Sequence, residues 1–294
     1  MPGCLTAYLP DAARRWLLRS TDAPSLGRAE DCGVRIDHPS VSRRHARLEF
    51  DGGRWTLADA GSKNGVHVEG RRVLEAVLPD RAWLRVGDIA CEWRELSDAE
   101  AGQLEARGVA KRADSRVLLE SLQRQTRLPD LLRDTLRATV ELAECERGFL
   151  LLSDATGLRV AATHGIAGDE LERVGFAGSA GAVQRALAEG QAVVVNDARG
   201  DEAWSRRESV IAGGLRALLC LPLRVEGENV GLVYADSARP GCVITATDLD
   251  LLQAFAERAA LWISARRGLE QLSMLAPDGV AWPRVLQAQG LASA

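Results

Sequence analysis

Short runs that alternate apolar and polar residues recur about every ten residues between Leu5 and Arg94. Two clear examples are Ala46-Arg47-Leu48-Glu49-Phe50 and Trp55-Thr56-Leu57-Ala58. A period of two is typical of β-strands with one buried face, and the glycines between the runs interrupt them as turns do. This rhythm predicts a β-sandwich. Three tryptophans are expected to fill its core: Trp55, Trp83 and Trp93.

Three polar clusters fall at the ends of these predicted strands: Gly27-Arg28, Ser42-Arg43-Arg44-His45-Ala46 and Ser62-Lys63-Asn64-Gly65. Loops at one end of a sheet structure can converge on a single ligand. These loops would offer cations, a hydroxyl and an amide, with no carboxylate in the clusters themselves. Such a set suits a doubly charged, oxygen-rich anion, and phosphate is one.

In order and spacing, the three clusters resemble the forkhead-associated (FHA) domain, a β-sandwich family that binds phosphothreonine peptides. The resemblance covers roughly Leu5 to Leu96. It implies five residues that bind the phosphopeptide: Arg28, Ser42, Arg43, Lys63 and Asn64. It also implies four residues that support the loops: Gly27, His45, Ser62 and Gly65. Some members keep the fold and lose phosphate binding, so a phosphate-blind domain stays open as an alternative.

Each implied role fits the chemistry of its side chain. The planar guanidinium of Arg28 can hold two phosphate oxygens, and the Ser42 hydroxyl is a short donor. Arg43 and Lys63 add positive charge. The Asn64 amide can donate and accept at once, which suits its family role of holding the peptide backbone. His45 occupies a position that is structural in the family.

From Ser115 the pattern changes to apolar residues at three- and four-residue steps, as on amphipathic helices. A buried strand is predicted at 148–152, a hairpin at 217–236, and a long helix after Thr245 and Asp248, which form a capping-box-like start. This order resembles a GAF domain over about Leu128 to Arg267. The motifs that carry it are Glu146-Arg147-Gly148-Phe149, Leu219-Cys220-Leu221-Pro222-Leu223 and Val230-Gly231-Leu232-Val233-Tyr234.

The GAF resemblance implies an α+β fold with a central antiparallel sheet flanked by helices, a small-molecule pocket, and terminal helices that often dimerise. The pocket's ligand stays unknown. No lysine follows Lys111, so the Asn-Lys…Phe-Asp-Glu constellation of cyclic-nucleotide-binding members is incomplete. Cys220 and Cys242 do not match the bilin position. A haem would need His164, and a lone His near a strand end is more often solvated. A GAF domain without ligand is an open alternative.

No catalytic residue, metal site or cofactor is expected. P-loop, kinase and G-x-S-x-G signatures are absent. The six cysteines show no C-x-x-C or Cys/His ligand spacing and are expected to be free thiols in a reducing cytosol. One enzymatic alternative remains: a GAF-type reductase of free methionine sulfoxide would use cysteines such as Cys145, Cys220 and Cys242.

The expected organisation is an FHA domain at 1–97, a linker or helix at 98–127, a GAF domain at 128–268 and a tail at 269–294. A net charge of −4 with scattered arginines argues against nucleic-acid binding. No apolar run reaches about 18 residues, so no membrane span is expected, and the cytoplasm is the predicted location.

The pairing of these two domains resembles the sensory half of bacterial enhancer-binding activators. Those proteins continue into an ATPase and a helix-turn-helix, which this sequence does not contain, so a direct activator is not expected. The predicted function is a non-catalytic adaptor that binds phosphothreonine proteins, including a Ser/Thr kinase or its substrate. The GAF part would sense a small ligand or form a homodimer through its helices; a scaffold with a silent GAF domain is the alternative.

Overall fold

The computed structural model describes residues 1–154, 157–166, 171, 177–196 and 215–275. Eleven strands precede the first helix. They are β1 (Gly3–Tyr8), β2 (Ala13–Leu18), β3 (Ser25–Gly27), β4 (Val34–Arg35), β5 (Ala46–Asp51), β6 (Arg54–Asp59), β7 (Val66–Val68), β8 (Arg71–Val73), β9 (Glu75–Val77), β10 (Arg81–Val86) and β11 (Ile89–Glu95).

These strands form two packed sheets, which is the predicted all-β sandwich. One sheet has the order β2-β1-β11-β10-β7-β8 and the other β4-β3-β5-β6-β9. Only the β3–β4 pair is parallel among their pairings. Trp55 from one sheet and Trp93 from the other are fully buried, and their rings meet edge to face at 5.4 Å. Aromatic pairs of this geometry contribute beyond their burial, so this contact helps to hold the sheets together.

Trp83 does not lie in this core, contrary to the prediction. Along β10 the side chains of Ala82 and Leu84 are buried between the sheets, so Trp83 points to the opposite face. There its ring lies 5.8 Å from that of Tyr8, in a small cluster that Val243, a residue far along the chain, also joins. The period-two alternation that identified the strand also places this tryptophan outside the sandwich.

Helix α1 (Asp98–Gln123) follows the sandwich directly. Its N-terminus is a capping box: the Ser97 hydroxyl accepts from the Glu100 amide at 3.2 Å, and the Glu100 carboxylate accepts from the Ser97 amide at 2.8 Å. Helix α2 (Leu128–Leu142) begins after a short break, with Pro129 in its first turn. The segment predicted as a linker or helix is therefore helical over most of its length.

The second unit is built on a five-stranded antiparallel sheet with the order β13-β12-β16-β15-β14. Its strands are β12 (Arg147–Asp154), β13 (Gly157–His164), β14 (Val193–Asn196), β15 (Ala217–Val225) and β16 (Glu228–Ser237). Helices α1, α2 and α4 (Ala246–Leu275) pack on one face, and α3 (Ala177–Glu189) packs on the other. This is the predicted α+β architecture.

Two local features stabilise this sheet: a tight hairpin turn and a buried ion pair. The β15–β16 hairpin turns through Glu226 and Gly227, both at positive φ (51° and 88°), as a two-residue hairpin loop requires. Asp236 on β16 is almost fully buried, and its carboxylate pairs with the Arg147 guanidinium at 2.6 Å. Its second oxygen accepts from the Tyr234 hydroxyl at 2.6 Å.

Helix α4 runs further than predicted and includes residues 269–275 of the expected tail. The helix contains no proline that would end it, and it continues through Gly268, which lies at an open position. The rest of that tail lies outside the described residues. Among the residues that the structure describes, no helix combines the length and hydropathy needed to span a membrane.

Candidate functional site

Three loops meet at one end of the sandwich because the strands that carry them are neighbours. Leu26 on β3 pairs with Ala46 on β5, and Ala46 pairs with Asp59 on β6. The first loop (residues 28–33) leaves β3, the second (36–45) enters β5, and the third (60–65) leaves β6. All three polar clusters from the sequence are thus brought together.

His45 connects these loops through hydrogen bonds from a buried position below them. Its side chain is fully buried. Nδ1 accepts from the Ser42 amide at 3.0 Å, so the ring proton must sit on Nε2, which donates to the Gly65 carbonyl at 3.0 Å. Its backbone bonds to Leu26 on one side and Ala60 on the other. The implied structural role of His45 agrees with these four contacts.

Arg28 stands exposed at the rim of the three loops. Its amide donates to the Ser42 carbonyl at 3.0 Å, and its Nε donates to the Val41 carbonyl at 3.4 Å. Within the described part of the chain no carboxylate pairs with it. Arg44, close by, forms an ion pair with Asp31 at 2.6 Å. The remaining guanidinium donors of Arg28 are therefore oriented by the backbone and available to an anion.

Ser42 and Asn64 connect the second and third loops. The Ser42 Oγ accepts from the Lys63 amide at 3.1 Å, which leaves its own proton to donate. The Asn64 Nδ2 donates to the Ser40 carbonyl at 2.8 Å, so its Oδ1 and a second N–H stay available. The exposed side chains of Arg43 and Lys63 have no carboxylate partner among the described residues.

Ser62 and the two glycines shape the loops and do not face a ligand. The Ser62 Oγ accepts from the Gly65 amide at 3.0 Å, and the Ser62 amide donates to Asp59 at 2.8 Å. Gly65 has φ of 76°, which favours glycine. A Cβ at Gly27 would lie 2.2 Å from the Arg43 carbonyl oxygen, so only glycine allows the first two loops to approach this closely.

Two further residues lie at this rim that the sequence motifs do not predict. Ser40 supplies the carbonyl that orients Asn64, and its Oγ also accepts from the Asp88 amide at 2.9 Å. Arg72 on β8 lies over the third loop, since a Cβ at Gly65 would come within 2.6 Å of its Nε. No motif marks either one: Ser40 acts through its backbone, and Arg72 follows from the β7–β8 pairing. The extra cation adds to the positive rim.

The groups at this rim are chemically suited to a phosphate ester. Arg28, Arg43, Lys63 and Arg72 supply positive charge, while Ser42 and Asn64 supply neutral donors. Charge-assisted hydrogen bonds to such donors are the stronger kind in proteins. His45 is buried below the rim with both ring nitrogens engaged, so it supports the loops without facing the ligand side.

The second unit gives less definite candidates. His164 is exposed near the end of β13, as expected for a solvated residue. Cys220 is buried on the sheet face covered by α3, whereas Cys145 is buried on the opposite face with Cys242 packed against the same cluster, so Cys220 does not meet the other two cysteines of the reductase alternative. Burial raises the pKa of the Cys220 thiol to about 12.

Residues 167–170, 172–176 and 197–214 of this unit lie outside the described residues. No group of three His, Cys, Asp or Glu suited to a metal occurs in the described part.

Comparisons with known proteins agree with these two units. A family model described as "FHA domain" matches residues 25–89, and one described as "GAF domain" matches residues 127–263. Both families are generally regulatory modules, and neither match names a catalytic family. The matches fall where the motifs placed the two resemblances.

Several mycobacterial proteins are similar to the N-terminal unit. The glycogen accumulation regulator GarA of Mycolicibacterium smegmatis is 39% identical over 80 residues, which is 26% of this chain and 49% of GarA. The ABC transporter ATP-binding/permease protein Rv1747 of Mycobacterium tuberculosis is 40% identical over 63 residues, 21% of this chain and 7% of that protein. The chain thus spans about half the length of one relative and a small part of the other.

Among solved structures, one from a structural and functional analysis of phosphothreonine-dependent FHA domain interactions shares 30% identity with this chain. It covers 33% of this chain and 99% of its own, with a TM-score of 0.31.

Proposed function

We propose that this chain, which carries an FHA domain followed by a GAF domain, is a non-catalytic signalling adaptor. Its FHA domain binds proteins phosphorylated on threonine, and its GAF domain senses a small ligand or forms a dimer. One observation carries the proposal. The exposed Arg28 guanidinium is held by the backbone of the second loop beside Ser42, and no described carboxylate neutralises it.

Binding follows from the groups on this rim. Arg28 and Ser42 donate to the phosphate oxygens, while Arg43, Lys63 and Arg72 lower the energy of a dianion nearby. Asn64 uses its free amide groups on the peptide backbone. Each charge-assisted hydrogen bond contributes roughly 1.5–3 kcal/mol net. Three or four of them, less the cost of ordering the peptide, give a Kd in the micromolar range, about −8 kcal/mol.

The partner class follows from the ligand. A phosphothreonine in a protein is made by a Ser/Thr protein kinase, so the partner is such a kinase or one of its substrates. The similarity to GarA, a regulator, supports a regulatory context for the FHA domain. A second FHA-containing relative is an ABC transporter protein, so the domain alone does not select one pathway.

For the GAF domain, two features support coupling or dimerisation. Helices α2 and α4 pack together on one sheet face, with α1 against both. Three leucines on α4 stay exposed: Leu261, Leu269 and Leu272. Buried leucines at an interface would each contribute roughly 1.5–3 kcal/mol. Native mass spectrometry of the purified chain reports the subunit number and any retained compound, and a bare monomer would favour the silent scaffold.

The FHA proposal is tested by capture of phosphorylated partners. Immobilised full-length chain is incubated with a library of phosphothreonine peptides and with the same library after phosphatase treatment. The wild type should retain peptides only from the first, and Ser42→Ala and Asn64→Ala should retain fewer. Equal retention from both libraries would reject phosphate recognition.

A further inference from the structure

Two cysteines that are distant in sequence lie together where the FHA and GAF domains touch. Cys145 follows α2 in the turn that enters β12, and Cys242 lies in the loop between β16 and α4. The Cys242 Sγ is 3.6 Å from the carbonyl oxygen of Glu144, the residue before Cys145. The two thiols lie close enough for each to shift the pKa of the other.

The two thiols differ in burial and in acidity. Cys242 is half-buried, whereas Cys145 is buried. The neighbouring Cys145 thiol lowers the pKa of the Cys242 thiol, and the Ser237 hydroxyl also lowers it, so that the net pKa falls although burial raises it. The neighbouring Cys242 thiol, together with burial, raises the pKa of Cys145. The more accessible sulfur is therefore the more acidic of the two.

Positive charge lies beside this pair. The Arg239 guanidinium donates to the carbonyl oxygens of Glu144 at 2.9 Å and Cys145 at 3.3 Å. It also pairs with the Glu146 carboxylate at 3.4 Å. A cation next to a half-exposed thiol is the setting of reactive cysteines, whereas inert cysteines lie buried among apolar groups.

We propose that Cys145 and Cys242 form an oxidisable dithiol site that closes to a disulfide in the presence of a hydroperoxide. The Cys242 thiolate attacks the peroxide oxygen, the O–O bond breaks, and hydroxide or alkoxide leaves, which gives a sulfenic acid on Cys242. The Cys145 sulfur then attacks the Cys242 sulfur, and the sulfenic oxygen leaves as water with the Cys145 proton. In total, two thiols are oxidised and the peroxide is reduced by two electrons.

The other four cysteines provide an internal comparison. Cys4, Cys32, Cys91 and Cys220 are all buried. Burial raises the pKa of Cys4, Cys91 and Cys220. Cys220 lies across the sheet from Cys145. We therefore expect Cys145 and Cys242 to be oxidised while the other four cysteines stay reduced.

Disulfide formation would act on the contact between the domains. The loop that holds Cys242 continues through Val243, Ile244 and Thr245, which touch the sandwich. The Ile244 carbonyl accepts from the Ala13 amide at 3.3 Å, and Val243 packs against the cluster of Tyr8, Ala13 and Ala90. Gly241, at φ of 81° with open space around it, gives this loop freedom to adjust. The disulfide would tie it to the end of α2.

Peptide mapping tests the site directly. Full-length protein is treated with a stoichiometric amount of hydrogen peroxide, remaining thiols are alkylated, and tryptic peptides are analysed without reduction. Cys145 and Cys242 fall on separate tryptic peptides, so a linked pair appears as a new mass that reductant removes. Thiol loss at Cys242 should be at least about tenfold faster at pH 7 than at Cys4 or Cys91, because far more of it is thiolate.

Matched variants identify the two roles. Cys145→Ala should leave Cys242 trapped as sulfenic acid, detectable with a dimedone-type reagent, and Cys242→Ser should leave Cys145 reduced. Oxidation of wild type should slow amide hydrogen exchange at residues 243–245. A wild-type protein in which Cys242 oxidises without linking to Cys145, or in which another cysteine reacts first, would overturn the proposal.

Discussion

His45 donates from Nε2 to the carbonyl oxygen of Gly65, 3.0 Å away, and this bond joins the second loop of the FHA site to the third. The other ring nitrogen accepts from the Ser42 amide, so a single buried side chain sets the distance between the residues proposed to bind phosphate and peptide. Binding at the rim therefore depends on a residue that does not reach the ligand.

His45→Ala should lower both stability and peptide affinity. It leaves the Ser42 amide and the Gly65 carbonyl without partners, at about 1–3 kcal/mol each, and opens a cavity below the loops. Thermal melting should show the loss, and phosphopeptide binding should weaken about tenfold or more. His164→Ala, at an exposed position in the GAF domain, is the control and should leave both unchanged. Normal affinity in His45→Ala would show that the loops hold their positions without it.

Gly27→Ala should damage the site more than Gly53→Ala does. The new Cβ at Gly27 would overlap the Arg43 carbonyl oxygen at 2.2 Å, and backbone on both sides must then move. Gly53 lies in the β5–β6 turn with φ of 83° and open space, so alanine there costs only backbone strain, about 1–2 kcal/mol. Melting and phosphopeptide affinity should both fall for Gly27→Ala, whereas only melting should fall for Gly53→Ala. Equal affinities in the two variants would contradict the close approach.

Lys111 on α1 links this connecting helix to the GAF domain through two ion pairs. Its Nζ lies 2.8 Å from Asp248 and 3.0 Å from Glu144. Burial lowers the pKa of Lys111, but the two carboxylates outweigh it and the net pKa is raised. For Asp248 burial raises the pKa, yet Lys111 and the Thr245 hydrogen bonds outweigh it and the net pKa is lowered.

Lys111→Met should therefore destabilise the chain at neutral pH by about 1–3 kcal/mol, reduced from the value for a fully buried pair because both side chains are partly exposed. Because the folded pKa of Asp248 is depressed, its contribution is present above the unfolded value near 4 and is lost as pH falls through the folded one. The contribution of Lys111 is present below its unfolded pKa near 10.4 and is lost as pH rises through the raised folded value.

Melting curves from pH 3 to pH 8 check this account. The difference between wild type and Lys111→Met should be largest near neutral pH and should shrink in acid below about pH 4. Arg19→Met is the control, since the Arg19–Glu105 pair is exposed on both sides and exposed pairs contribute little. A difference that does not change with pH would mean that Lys111 acts through packing alone.

Much of the secondary structure and the positions of the FHA loops could be predicted from the sequence, because they depend on residues that are near each other along the chain. Alternation, glycine breaks and three polar clusters were sufficient to place the FHA loops, and the two domain families are confirmed by the family matches. The capping box at Ser97 and Glu100 was also present in the sequence as Ser-x-x-Glu and would have identified the start of α1. The residues that bind the phosphopeptide stay a prediction.

The missed features depend on contacts between distant segments. Trp83 was predicted to lie in the core, although its neighbours in β10 place it on the outer face, in the cluster that Val243 also joins. Arg72 reaches the site only through strand pairing. Cys145 and Cys242 meet only because α2 and the β16–α4 loop end at the same place. No spacing along the chain encodes these relationships, since each needs the tertiary fold.

The most direct test of the central claim is calorimetric titration of the full-length chain with one phosphothreonine peptide and its unphosphorylated form. The wild type should bind the first with micromolar Kd and the second without measurable heat. Arg28→Ala should lose about 1.5–3 kcal/mol, roughly 10- to 150-fold in Kd, because it removes charge-assisted hydrogen bonds. Arg44→Ala, whose side chain is paired with Asp31, should bind nearly as the wild type does. Equal Kd values for Arg28→Ala and wild type, or equal binding of both peptides, would contradict the account.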